Sequence, residues 1–284
     1  MAVRLVNRHV IITGGSSGIG LATARQLVIR GASVSLIARN RAGLAEAAEL
    51  LRPLARKHGQ RVEIATADVT RQSDIQQAIG DLINRSGPCD VLITSAGASH
   101  PGYFEHLDDA IFREMMEVNY FGTLYAIRAV VPQMIARRLG AVVAISSVAG
   151  LIGVFGYTAY APAKFAVRGL MESLRQEMKP YNITLSIAYP PDTDTPQLAY
   201  ERQFKPQEAT RISGTIKPIS AEQMARSIVR GIIKRRFAIT ADTQSAMLVR
   251  LSGVVAPVLN HMFDRSVRQV RREREISEGH SLSS

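Results

Sequence analysis

The stretch His9-Val10-Ile11-Ile12-Thr13-Gly14-Gly15-Ser16-Ser17-Gly18-Ile19-Gly20, continued by Leu21-Ala22-Thr23-Ala24-Arg25-Gln26-Leu27-Val28, changes its periodicity in the middle. The first five residues are apolar and β-branched enough for a buried strand. From Leu21 onward apolar residues return at helical spacing. Between the two lies a glycine-rich turn. Glycines there permit a tight turn and let the backbone approach a pyrophosphate resting on the positive end of the following helix. Such a loop is weak evidence alone, but strong when it joins a strand to a helix at the start of a βαβ unit. Gly14, Ser16, Ser17, Gly18, Ile19 and Gly20 are its candidate nucleotide contacts.

Outward from this stretch, short β-branched runs alternate with longer segments of helical period. The strand-like runs are 9–13, 33–38, 62–67, 91–94, 142–146, 183–189 and 237–240. Between them lie amphipathic segments, such as the face formed by Val167, Leu170, Met171, Leu174 and Met178. Repeated strand–helix–strand order implies a mostly parallel sheet covered by helices on both faces, and right-handed crossovers make it doubly wound. The expected fold is α/β, a Rossmann-type doubly wound parallel sheet of about seven strands. In such sheets the ligand crevice lies beyond the carboxyl ends of the strands. Clusters of polar residues, Gly or Pro fall there: 13–20, 94–97, Ser146 and Ser147, and 189–196.

Composition limits the alternatives. The 284 residues are 46% hydrophobic and 21% charged, which supports a full core and excludes global disorder. The one cysteine, Cys89, cannot form an intramolecular disulfide, which fits a reducing compartment. The N-terminus enters an apolar strand without a signal-peptide region, and no run of about 20 uncharged apolar residues suggests a spanning helix. Cytoplasmic residence is expected, with peripheral contact at a membrane face left open. The net charge of +11 suits a phosphorylated cofactor, anionic lipid or nucleic acid, or is simply a solvated basic surface. No metal-ligand spacing and no aromatic RNA-binding signature accompany it, so neither metal nor nucleic acid is expected.

The end of the second strand discriminates between nicotinamide cofactors. An acidic residue there holds the ribose 2′-hydroxyl of NAD, whereas this chain has Arg39. A guanidinium grips a 2′-phosphate with charge-assisted hydrogen bonds, and Ser16 and Ser17 add hydroxyls, so NADPH is the expected cofactor. Asp68, beside Val69 at the end of the third strand, is read either as an acceptor for the adenine amino group or as a helix cap or turn residue. Val69, with Ala96 and Gly97 at the close of the fourth strand, is a further candidate cofactor contact, and Thr193 and Thr195 after the sixth strand are placed to contact the carboxamide or phosphates.

Tyr160 and Lys164 stand four apart, on one face of a helix. Reducing a ketone requires hydride at carbon and a proton at oxygen. A phenol with a pKa of about 10 needs a nearby cation to become a useful acid near neutrality. Ser147, thirteen residues before Tyr160, is placed to hydrogen-bond a substrate oxygen. Asn119 supplies an amide for a water or backbone group.

The Gly-rich loop, Asn119, Ser147, Tyr160 and Lys164, in this order and spacing, resemble the short-chain dehydrogenase/reductase superfamily over residues 8–240. The resemblance implies that Tyr160 is the general acid. Lys164 then lowers its pKa and binds the nicotinamide ribose, Ser147 orients the carbonyl, and Asn119 supports a proton relay. Tyr157, with Ala161 four residues on, is a poorer candidate for the acid. Two departures stand out: Ser95-Ala96-Gly97 replaces the usual Asn-Ala-Gly, and Pro190-Pro191 replaces the usual Pro-Gly.

Over residues 140–220 the chain is similar to the 3-ketodihydrosphingosine reductase family. The similarity is carried by 155–160, Lys179-Pro180-Tyr181-Asn182, 189–196, Lys205-Pro206 and Ile212-Ser213. It implies NADPH-dependent reduction of a long-chain amino ketone in sphingolipid synthesis. The alternatives are a keto-reductase for another hydrophobic ketone or alcohol, and a non-catalytic NADPH-binding regulator. Residues 1–243 are expected to form one catalytic domain, with 196–220 as an irregular, polar lid. Asp192, Asp194 or Glu201 is expected to meet the substrate ammonium. The segment 244–284 carries an apolar stripe (Met247, Leu251, Val254, Val255, Val258, Leu259, Met262 and Phe263) followed by arginines from Arg265 to Arg274. It is read either as a membrane-interface segment or as packing on the core or on a second copy. A homo-oligomer is expected.

Overall fold

The computed structural model describes residues 4–57, 59–213 and 217–281. Within helices, the side chains of 56, 57, 254–258, 260, 274, 275 and 277–281 lie outside the description. Nine strands occur among the described residues: β1 (His9–Thr13), β2 (Ser33–Ala38), β3 (Val62–Thr66), β4 (Val91–Thr94), β5 (Gly140–Ile145), β6 (Ile183–Ala188), β7 (Thr193–Asp194), β8 (Ile219–Ser220) and β9 (Ala238–Ile239). The α-helices are α1 (Gly18–Val28), α2 (Arg41–Leu51), α3 (Gln72–Ser86), α4 (Asp109–Met116), α5 (Gly122–Arg137), α6 (Tyr160–Met178), α7 (Pro196–Glu201), α8 (Gln207–Ser213), α9 (Ala221–Ile233) and α10 (Thr243–Ser281).

Seven strands form a parallel sheet in the order β3-β2-β1-β4-β5-β6-β9. The chain reverses its direction of growth at β1, which pairs with β2 on one side and β4 on the other. A crevice therefore opens between the carboxyl ends of β1 and β4. Strand alternation sends Val10, Ile12, Val34 and Leu36 to one face, where they pack with Leu27 of α1, Leu44 of α2 and Ile228 of α9. Ile11, Ile37, Leu92 and Val142 go to the other face, against Ile79 of α3, Val130 of α5 and Met171 of α6. The predicted stripe of α6 lies in that second cluster, with Val167, Met171 and Met178 buried and Leu170 and Leu174 packed at its margin. Both faces are covered, so the strands read as apolar runs with little polar alternation.

Strand ends differ from the expected ones by one or two residues. The segment 237–240 pairs only over Ala238–Ile239, because this last strand meets a single neighbour, β6.

The expectation of an irregular lid is corrected: the segment after Thr195 holds two short helices, α7 and α8. Thr195 caps α7 by accepting from the Leu198 N–H at 3.4 Å, and Pro196 supplies a preset helical φ at the first turn. Leu198 and Ala209 are buried and give the helices an inner face. Parallel pairing of β7 with β8 ties the base of this segment together. Residues 214–216 lie outside the described residues.

The long helix α10 begins where the sheet ends. Leu248 and Val249 pack against the second core cluster, Ser245 and Val270 are buried, and Arg211 of α8 pairs with Glu273 at 2.7 Å. Met247, Leu251 and Met262 are exposed. The predicted stripe positions Val254, Val255 and Val258 lie outside the described side chains, as does Arg274. Among the described residues, no helix is long and apolar enough to cross a membrane.

Candidate active site

A cleft of about 430 Å³ lies over the carboxyl ends of β1, β4, β5 and β6, a volume in the range of small-molecule sites. At one end the glycine loop folds back on the sheet. Gly14 has φ +67° and its N–H bonds Ile37 O at 2.8 Å; a Cβ there would come within 2.5 Å of Ala96 N. Ser95 N–H reaches Thr13 O at 3.0 Å, closing the two strand ends against each other. Gly18, with φ +52°, faces the methyl group of Thr195 from across the cleft. Gly14, Ser16, Ser17, Gly18 and Ile19 line this end, as do Arg39, Asp68 and Val69. Gly20 does not line it. A side chain at Gly20 would collide with the Gly14 carbonyl, so its part is to let α1 start tight against the loop.

Arg39 is exposed, and its charge is felt at Asp68. Asp68 Oδ1 accepts from the Thr70 N–H at 3.0 Å and from the Thr70 hydroxyl at 2.9 Å. Partial burial disfavours its charge. The Thr70 bonds and the guanidinium groups of Arg39 and Arg71 outweigh that and hold it below the usual carboxylate range. Of the two roles read from the sequence, the turn is thus present in the structure, since α3 is preceded by Arg71 at its cap position.

The other end gathers Ser147, Tyr160 and Lys164. Ser147 follows β5 and caps a short 3₁₀ turn, its Oγ accepting from the Ala149 N–H at 3.1 Å. Tyr160 opens α6, and Lys164 lies one turn further, its Nζ 5.5 Å from the Tyr160 ring centre. Two contacts fix α6 to β5: Lys164 Nζ donates to Ile145 O at 3.0 Å, and the Ser146 hydroxyl donates to Lys164 O at 3.0 Å. Asn119 sits behind the cleft in a π-helical turn between α4 and α5. Its Nδ2 donates to Ala98 O and Met115 O, both at 2.9 Å, and its Oδ1 accepts from Ala98 N at 3.3 Å. The amide thereby fixes the chain just after Gly97. A Cβ at Gly97 would lie 3.0 Å from Asn119 Oδ1 and 3.5 Å from Lys164 Nζ. Ala96, Gly97, Thr193 and Thr195 line the cleft.

Electrostatics here differ from the simple expectation that Lys164 acidifies Tyr160. Burial is the first cause holding the Tyr160 phenol well above its ordinary range, and the Glu201 and Asp192 carboxylates reinforce it. The side chains of Ser147 and Gln197 act the other way. Lys164 is pulled down to about 8 by burial, partly opposed by Glu201. The phenol is therefore a protonated donor in this state.

A short chain dehydrogenase family model matches residues 8–206. The chain belongs to the short-chain dehydrogenase/reductase family. Members use a nicotinamide cofactor, and the loop fits one: Cβ atoms at 14, 15 and 20 would meet Ala96, Leu36 and Gly14, so only glycines let this backbone turn tightly into the N-terminus of α1, where a pyrophosphate is accepted. This short-chain dehydrogenase/reductase is 42% identical to a 3-dehydrosphinganine reductase of Danio rerio, over 90% of its own length and 77% of the relative's. It is 41% identical to a 3-ketodihydrosphingosine reductase of Bos taurus, over 91% and 78%. Among solved structures, it resembles an actinorhodin polyketide ketoreductase with NADPH: TM-score 0.74, 26% identity, covering 84% of this chain and 97% of the other.

Three further residues shape the cleft, and one of them, Gln197, carries little sequence signal. Gln197 borders Tyr160 and Glu201 from α7, and nothing in its local pattern sets it apart from a surface glutamine. Tyr157, a poor candidate for the acid, is buried and donates to Glu201 Oε2 at 2.9 Å. Glu201, one of the carboxylates named from the sequence, is buried on α7. Of the three carboxylates considered for the ammonium, Asp192 and Glu201 line the cleft, whereas Asp194 is exposed outside it.

Proposed function

We propose that this enzyme reduces the 3-keto group of 3-ketodihydrosphingosine to dihydrosphingosine with NADPH, as a step in sphingolipid biosynthesis. The observation that carries the chemistry is the convergence of Ser147, Tyr160 and Lys164 on one cleft with the glycine loop. The names and coverage of its relatives support the substrate.

A nicotinamide cofactor held by the glycine loop and Lys164 would supply hydride for the carbonyl carbon. Ser147 Oγ holds the carbonyl oxygen, and the Tyr160 hydroxyl gives it a proton, leaving an alcohol and a phenolate that regains its proton from solvent. Lys164, kept against Ile145 O, is positioned to bind the nicotinamide ribose and to stabilise that phenolate. Asn119 holds the Ala98 backbone at the edge of the site. The segment 196–220 acts as a lid that excludes water. The test is NADPH oxidation with 3-ketodihydrosphingosine; no turnover by the wild type would sink the substrate reading.

Arg39 supports NADPH over NADH, because it lines the adenosine end of the cleft with no carboxylate within ion-pairing distance among the described residues. Arg39→Glu removes a charge-assisted contact worth about 1.5–3 kcal/mol. It is expected to lower kcat/KM for NADPH about 10- to 100-fold while NADH is affected far less. Equal losses for both cofactors would show that Arg39 does not read the 2′-phosphate.

The C-terminal helix supports peripheral membrane contact. Exposed Met247, Leu251 and Met262 lie on the same helix as exposed Arg265, Arg268, Arg271 and Arg272, a pattern suited to an anionic lipid interface. Removing residues 244–284 is expected to reduce sedimentation with anionic liposomes, and undiminished sedimentation would discard the contact.

A further inference from the structure

Glu201 presents a carboxylate to the cleft with no cation paired to it among the described residues. On α7 its side chain is almost withdrawn from solvent, at 7% exposure. Oε2 accepts from the Tyr157 hydroxyl at 2.9 Å and Oε1 from Gln197 Nε2 at 2.9 Å. A carboxylate oxygen accepts about two hydrogen bonds, so roughly half of this capacity is left over. Among the described residues, no Lys, Arg or His nitrogen lies within 4 Å of it. Burying a charge without an opposite one is costly, and such sites persist where something else repays the cost.

The neighbouring charges do not fill the role. Lys205 is engaged with Asp192 at 3.5 Å and lies over the Tyr157 ring at 5.8 Å. Lys164 feels the field of Glu201 but gives its ammonium to Ile145 O. Asp192 is already paired, and Asp194 faces solvent. Gln197 connects the two halves of the site, since it bonds Glu201 and also faces the Tyr160 phenol.

We propose that Glu201, held by Tyr157 and Gln197, is the subsite for a primary ammonium on the substrate, and that it makes the enzyme select amino ketones over uncharged ketones of the same chain length. This rests on reading the chain as an amino-ketone reductase. The site also couples recognition to chemistry. Burial first holds the proton on Tyr160, and the Glu201 and Asp192 carboxylates reinforce it, opposed by Ser147 and Gln197. An ammonium seated on Glu201 offsets one of those negative charges, so the substrate's own charge eases proton release from the phenol. Selection therefore reaches kcat as well as KM.

The experiment compares 3-ketodihydrosphingosine with its deamino analogue, a ketone of equal length, in the wild type, Glu201→Gln and Tyr157→Phe. A hydrogen bond to a charged partner is worth about 10- to 100-fold in binding. The wild-type preference for the amino ketone, as a ratio of kcat/KM values, is expected to collapse by that factor in Glu201→Gln and to weaken less in Tyr157→Phe, which keeps the carboxylate. For the oxidation direction, removing the carboxylate lowers the pH at which the Tyr160 phenolate forms, so the rising limb of the pH profile moves to lower pH in Glu201→Gln. A long-chain primary amine should inhibit the wild type more strongly than the alcohol of equal length. That measurement needs no variant to fold. A preference unchanged in Glu201→Gln, or an amine no better than the alcohol, overturns the subsite even if the wild type reduces the amino ketone. A wild type that reduces neither ketone overturns the functional reading, and the subsite with it.

Discussion

Tyr160→Phe is expected to lower kcat for the amino ketone about 10²- to 10⁴-fold, the span over which general acids contribute. The substitution removes one oxygen and leaves the ring in its buried place at the start of α6, 6.0 Å from the Tyr157 ring centre. Tyr157 cannot substitute for it. Burial first, and the Glu201 carboxylate next, hold the Tyr157 phenol above its ordinary range, and its hydroxyl is committed to that carboxylate. Calorimetric titration should still show NADPH binding, which separates lost chemistry from lost fold. Wild-type turnover in Tyr160→Phe would remove the phenol from the mechanism.

Gly14→Ala is expected to carry the second large effect, on cofactor affinity. The residue has φ +67°, a left-handed conformation that costs an L side chain roughly 1–3 kcal/mol. The added Cβ would also meet Ala96 N at 2.5 Å and Ala96 Cα at 2.7 Å. These are backbone atoms at the end of β4 and cannot rotate away. Relief requires the loop to move off β4, and the loop is the surface a pyrophosphate would touch. Affinity for NADPH measured by calorimetry should therefore fall about 10- to 100-fold, corresponding to the strain energy. A Kd equal to the wild type's would mean that the loop is not the pyrophosphate cradle.

Much of the site was legible because its parts are local. The glycine loop lies within one strand–turn–helix passage, and Tyr160 and Lys164 lie within one helical turn. Gly20 was legible as part of the motif but acts differently from its neighbours: it serves the packing of α1 against Gly14. Asn119 was legible as an amide with a partner to hold. That the partner is Ala98, across 21 residues, follows from where α5 crosses β4. The segment after Thr195 was misread as irregular, because two helices of six and seven residues are too short to show a period. They exist through the Thr195 cap and through burial of Leu198 and Ala209.

What the chain's own order determined is the parallel sheet, its alternating faces, and the placing of polar and glycine residues at strand ends, since these depend on periodicity over a few residues. The tertiary structure alone decided the electrostatics. Whether Glu201 is solvated or buried, and whether Lys164 or burial with two carboxylates governs the Tyr160 proton, depends on how α7 lies beside the cleft. A charge's energy is set by the dielectric and by the neighbours around it, and both come from segments distant in sequence.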